Sequence, residues 1–160
     1  MFAVGDKIIY GENGVCTIEK IAPLSASEPN KLYYHLIPLV GSGVYFSPVN
    51  SPAFMRALIS RDEAEALVEA IPSIEPAVCN DKRFNHVDAF YKELFKLHDC
   101  RSLVAVIKGL RQRMADKKNK SSRAESIIKR AKDILYGELS IVLEIDIKEA
   151  ESLVMSKFND

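Results

Sequence analysis

The spacing of apolar residues changes once along this chain, at Ser60, and that change limits the fold more than any other feature. Before Ser60 the apolar residues come in short β-branched and aromatic runs; after it they recur at helical spacing. Lys7–Tyr10 is a short run ending at Gly11. Val15–Ile21 follows Asn13-Gly14, a tight-turn signal because both residues tolerate positive φ. Leu32–Ile37 is closed by Pro38, Val44–Ser47 is a fourth run, and Phe54–Ile59 reads as a fifth. Pro23–Asn30, rich in Ser, Pro and Asn, reads as an exposed loop.

Four or five short strands in so few residues are too few for a wide sandwich. They fit a small curled barrel of the Tudor or SH3 type. From Ser60 the signals are helical. Ser60-Arg61-Asp62-Glu63 is a capping box, Leu67, Val68 and Ile71 follow, and Pro72 stops the helix. Pro72–Asn80 reads as a linker or long loop. A second helix carries Val87, Phe90, Leu94 and Leu97 on one face. Asp99 caps a third, with Leu103, Val106, Ile107, Leu110 and Met114. After a charged connector, Lys117–Lys120, a second box at Ser122 and Glu125 opens a fourth helix with Ile127, Ile128, Ala131, Ile134 and Leu135. Asp146 starts a fifth, ending near Phe158. Whether Gly137 interrupts the fourth is not decided by pattern, since a mid-helix glycine costs only about 1 kcal/mol. The expected fold class is α+β: a Tudor/SH3-like β-barrel over residues 1–58 and an all-helical domain of about five helices over 59–160.

Charge divides along the same line. Of 22 Lys and Arg, 15 lie between residues 82 and 132, with only 5 of the 22 Asp and Glu. The net charge of zero hides this block. Clustered cations can displace the counterions condensed on a phosphate backbone, so the pattern points to a polyanion. The plain alternative is a solvated helix face, but five acids cannot pair with fifteen cations. The acids cluster elsewhere, at 62–69 and 138–151.

Other function classes find little support. The 48% apolar content is ordinary for a folded protein, with no 18-residue apolar stretch to span a membrane. The N-terminus lacks a signal-peptide pattern, and three scattered cysteines fit a reduced, cytoplasmic chain. His35, His86 and His98 lack metal-ligand spacing, and no glycine-rich phosphate loop occurs. No metal, cofactor or small-molecule substrate is expected. His98 and Cys100 are too close in sequence at a helix start to face each other as base and nucleophile. Cys16 reads as a small core hydrophobe, and His35 as solvent-facing or hydrogen-bonded. Tyr33-Tyr34 and Tyr45-Phe46 put adjacent rings on opposite strand faces, so one of each pair points away from the core. Outward rings form either scattered surface or an edge that docks a partner.

The opening Phe2-x-Val4-Gly5-Asp6-x-Ile8-Ile9-Tyr10, with Gly14-Val15-x-x-Ile18-x-x-Ile21, resembles the N-terminal signature of the CarD/CdnL family, bacterial regulators that bind RNA polymerase. The same module resembles the polymerase-interacting domain of transcription-repair coupling factor. Tyr34 and Val44–Asn50 match its later strands. Leu94-x-x-Leu97 with Val106-Ile107-x-x-Leu110, and Ala131–Leu139, resemble the family's helical half. The resemblance implies a non-catalytic transcription regulator. Its N-terminal domain would bind the polymerase β subunit, with Tyr33, Tyr34, Tyr45 and Phe46 as candidates. Its helical domain would contact promoter DNA at the upstream edge of the melted region, largely at phosphates and in the minor groove, and modulate open-complex stability. Candidates there are Lys82, Arg83, Lys92, Arg123, Lys129 and Arg130 at phosphates, and His86 or Phe84 in the groove. The chain departs from the family in lacking the wedge tryptophan before the second helix, where His86 stands near Phe84. It also has Gly11 for a usual proline, Asn13 for a usual histidine, and no basic residue near Phe46. The rival reading is a Tudor-like adaptor that binds proteins and not DNA.

Overall fold

A computed structural model describes residues 1–50, 52–81 and 83–158, with the backbone alone at Phe84 and Asn85. The chain forms two compact units, Met1–Ile59 and a second beginning at Ser60. The first is a five-stranded antiparallel sheet of β1 (Lys7–Tyr10), β2 (Val15–Pro23), β3 (Leu32–Pro38), β4 (Tyr45–Pro48) and β5 (Met55–Ala57), in the order β4-β3-β2-β1-β5. Together with the helices that follow, this is the expected α+β arrangement.

The sheet is rolled. Tyr10 and Tyr45 have ring centroids 5.6 Å apart. Their strands lie three places apart in the order, which is about 14 Å across a flat sheet. The inner face buries Ile8, Cys16, Ile18, Tyr34 and Leu36, with Phe2, Tyr10, Ile21, Tyr45, Val49 and Met55 packed around them. An irregularity in β2 between Ile18 and Lys20 makes this possible. One extra residue there reverses the in–out alternation, so Cys16 and Ile18 face inward before it and Ile21 after it.

The β1–β2 turn differs from the sequence expectation. The left-handed residues are Gly11 (φ 51°) and Gly14 (φ 75°), not Asn13. The loop spans four residues and is closed by Asn13 N–H on the Tyr10 carbonyl at 2.8 Å. Gly11 therefore has a physical reason: proline, fixed near φ −65°, cannot adopt this conformation.

The second unit holds α1 (Arg61–Ala70), α2 (Phe84–Phe95), α3 (Cys100–Ala115), α4 (Ser122–Leu143) and α5 (Ile147–Met155). Ser60 and Glu63 form the expected reciprocal box, and Asp99 and Asp146 cap α3 and α5. The α4 cap is Ser121, whose hydroxyl accepts from Ala124 N–H, one residue earlier than the sequence suggested. Helix α4 runs through Gly137 without a break, and Ile134–Ser140 are all buried because α1, α2, α3 and α5 pack around it. The buried face of α2 is Val87, Tyr91 and Phe95; Phe90 and Leu97 are exposed, so the expected stripe was rotated.

Of the two expectations for Pro72–Asn80, linker or long loop, the segment is a docked loop. Past a 3-10 turn at Ile71–Ser73, the segment lies across α3 as a strap. Ala77 N–H donates to the Ala105 carbonyl at 2.9 Å, and the Tyr91 hydroxyl donates to the Ala77 carbonyl at 2.9 Å. Lys108 Nζ donates to the Ile74 carbonyl at 2.8 Å and also to that of Ile71, and Arg113 donates to the Cys79 carbonyl at 3.1 Å. Gly109 admits the strap: a Cβ there would lie 1.7 Å from the Ala77 carbonyl oxygen.

Candidate functional site

Two surfaces are candidates for function, one in each unit. In the first, the β3–β4 register decides which rings are available. Directly opposed residues share a face. Leu36 pairs with Tyr45 and Tyr34 with Ser47 on the inner face; His35 pairs with Phe46 and Tyr33 with Pro48 on the outer face. Tyr34 is 3% exposed and packs in the core, the inward ring of its doublet. Tyr45 is half-buried against the same core. Tyr33 and Phe46 point outward, and Phe46 is 46% exposed.

His35 forms the floor of this outer patch. It is buried, its Nε2 lies 3.1 Å from the Ala22 carbonyl, and Phe46 stands edge-on to it with centroids 4.9 Å apart. Lys31 lies 5.6 Å from the Tyr33 ring centroid, and Tyr33 holds that ammonium's pKa above its ordinary value. Strand β4 is a four-residue edge of the sheet, with β3 as its one strand partner among the described residues. The patch is apolar and aromatic and lies at a sheet edge, which suits it to strand addition or side-chain docking. Sequence alternation found the outward pair but could not say which ring of each doublet it was.

In the second unit the basic block separates by role. Lys108 and Arg113 hold the strap through carbonyls, and Arg111 lies over the Phe158 ring at 5.0 Å. Several exposed candidates hold carboxylates: Lys92 with Asp88 at 3.0 Å, Lys129 with Asp133 at 2.7 Å, and Arg83 with Asp81 at 3.4 Å. Arg123 and Arg130 are exposed on α4. His86 Nδ1 donates to Asp81 at 2.7 Å. The Asp81 carboxyl lies far below its usual range, first because it accepts from the Arg83 backbone N–H, then through the Arg83 and His86 side chains. Asp81 thereby organises the start of α2. Lys82 and the Phe84 side chain lie outside the described residues.

A cleft of about 660 Å³ joins this region to the α3–α4 connection, lined by Cys79, Asn80, Asp81, Tyr91, Lys118 and Asn119 among others. Sequence reading treated Lys117–Lys120 as a connector, although its charge density is the highest in the block. Gly109, an isolated glycine in a helical pattern, was the available signal for the strap.

Two of the cysteines pack inside their units. The Cys100 thiol donates to the buried carboxylate of Glu138 at 3.2 Å and packs inside. Cys16 is buried and its pKa is pushed up to about 11, the behaviour of a packing residue. Among the described residues no group of three or more His, Cys, Asp or Glu is placed to hold a metal. No described helix is long and apolar enough to cross a membrane.

A rolled five-stranded sheet with an aromatic outer face and a short open edge defines a protein-interaction module. Residues 2–59 match the family described as the CarD-like/TRCF RID domain, so the N-terminal unit is similar to that Tudor-like domain. The match ends immediately before the Ser60 capping box. No curated protein matches the chain.

Proposed function

We propose that this protein is a transcription regulator that binds the RNA polymerase β subunit through residues 1–58 and promoter DNA through the helical half. The DNA contact lies near the upstream edge of the melted region, and its effect is on the lifetime of the open complex. The observation that carries the reading is the CarD-like/TRCF RID match over residues 2–59, a domain whose outer face carries Tyr33 and Phe46. The concentration of 15 of 22 cations between residues 82 and 132 supports the DNA half. Affinity for DNA alone is weak, salt-dependent and largely independent of sequence, because phosphate contacts carry little sequence information.

Open-complex half-life, measured with polymerase and a promoter fragment at saturating protein, tests this. The half-life changes with the wild-type chain, and Phe46→Asp removes the change. An unaltered half-life with the wild type contradicts the proposal. The adaptor reading draws support from the carboxylate partners of Lys92, Lys129 and Arg83. It predicts polymerase binding with no effect on the half-life.

A further inference from the structure

The cations of the helical unit are not equivalent, and their partners rank them. Lys108 and Arg113 are committed to strap carbonyls. Lys92, Lys96 and Lys129 each hold a carboxylate on their own helix. Lys117, Lys118 and Lys120, in the α3–α4 turn, are exposed and have no ion pair among the described residues.

The turn that carries them is fixed by its own bonds. Lys117–Asn119 is a 3-10 turn, the Asp116 carboxylate accepts from Lys118 N–H at 3.0 Å, and Asn119 N–H donates to the Asp116 carbonyl at 2.9 Å. The three lysines therefore project from a preset backbone, and ordering it on binding costs little. The acid at the other end of α4 does not offset them. Glu144 caps a helix of 22 residues, so it lies about 33 Å from the turn, several Debye lengths at physiological salt.

The turn also adjoins the start of α2, since Lys118 and Asn119 share one cleft with Asn80 and Asp81. Asp81 and Asp116 line that cleft together with Arg113 and Lys118, so its own charges balance. A polyanion passing over its rim would meet the lysines of the turn. We infer that Lys117, Lys118 and Lys120 are the principal phosphate contacts of this unit, ahead of Lys92 and Lys129. This inference rests on the reading of the helical half as a DNA-binding unit.

The test is fluorescence anisotropy of a labelled duplex titrated with the full chain across a salt series. One variant carries Lys117→Ala, Lys118→Ala and Lys120→Ala; a second carries Lys92→Ala and Lys129→Ala. Loss of three phosphate contacts lowers the magnitude of the log K against log salt slope by about 2.7, at about 0.9 per contact. The second variant changes it by less than about one. Circular dichroism stays at the wild-type value in both, because the altered side chains are exposed. Equal losses, or a loss in the second variant alone, overturn the inference while leaving DNA binding intact. No salt-dependent binding by the wild type overturns the inference together with the reading beneath it.

Discussion

Gly109→Ala is the most demanding test of how the helical unit is built. On an exposed helix surface this change stabilises by about 1 kcal/mol, because alanine is the better helix former. Here the new Cβ would lie 1.7 Å from the Ala77 carbonyl oxygen and 2.6 Å from its carbon. A carbon–oxygen contact needs about 3.2 Å, so the strap must retreat about 1.5 Å. That displacement breaks the Ala77 N–H bond to Ala105 and the Tyr91 hydroxyl bond to Ala77. Each contributes about 1 kcal/mol net, and residual overpacking adds about 1–2 kcal/mol. After subtracting the helix-propensity gain, the variant is destabilised by about 2–3 kcal/mol. For a unit of this size that lowers Tm by roughly 8–20 °C. Urea unfolding followed by far-ultraviolet circular dichroism, which reports chiefly on the helices, measures it. Tyr91→Phe costs about 1 kcal/mol in the wild-type background and almost nothing beside Gly109→Ala, because the bond it removes is already broken. A Gly109→Ala variant as stable as wild type, or more stable, refutes the docked strap.

Three further outcomes follow from burial and capping. Cys16 and Tyr136 have pKa values raised by burial to about 11 and about 12, from 9.0 and 10.0. A raised folded pKa favours the protonated form, so the linked stability is intact below the ordinary pKa and is lost as pH rises through the folded value. Melting temperature therefore falls between about pH 9 and 12, with Cys16→Ala flattening the earlier part and Tyr136→Phe the later. Thiol labelling in native buffer modifies half-buried Cys79 first, while buried Cys16 and Cys100 react only on unfolding; three equally fast thiols would contradict these burials. Ser60→Ala removes the hydroxyl half of the reciprocal cap, the 3.1 Å bond from Glu63 N–H, and leaves the 2.9 Å bond from the residue-60 backbone N–H to the Glu63 side chain; it costs about 1 kcal/mol, whereas a change below about 0.3 kcal/mol in urea titration would mean the hydroxyl contributes nothing.

Much of the fold was readable because local signals agreed with tertiary packing. The capping box at Ser60 placed the boundary between β and helical grammar, and Asp99 and Asp146 placed two helix starts. What escaped were features created by long-range contact. Asn13-Gly14 looked like the turn, but hairpin closure put the left-handed backbone at Gly11 and Gly14. The two prolines of Pro72–Asn80 suggested a linker or long loop; it is a loop whose carbonyls, presented to Lys108, Tyr91 and Arg113, hold it down. Four aromatic candidates reduce to two outward rings, since Tyr34 fills the core. Sequence charge counts every lysine alike, whereas the fold neutralises some locally and leaves the α3–α4 turn to face solvent.

The central claim is that the outer β3–β4 face holds RNA polymerase. Equilibrium binding of the full chain to a purified β-subunit fragment, compared between wild type, Phe46→Asp and Tyr33→Ala, tests it directly. The account predicts saturable binding by the wild type. It predicts a loss of at least about tenfold for Phe46→Asp, in line with losing a central aromatic anchor, and a smaller loss for Tyr33→Ala, with all three equally folded. Binding that is absent in the wild type, or unchanged in both variants, contradicts it.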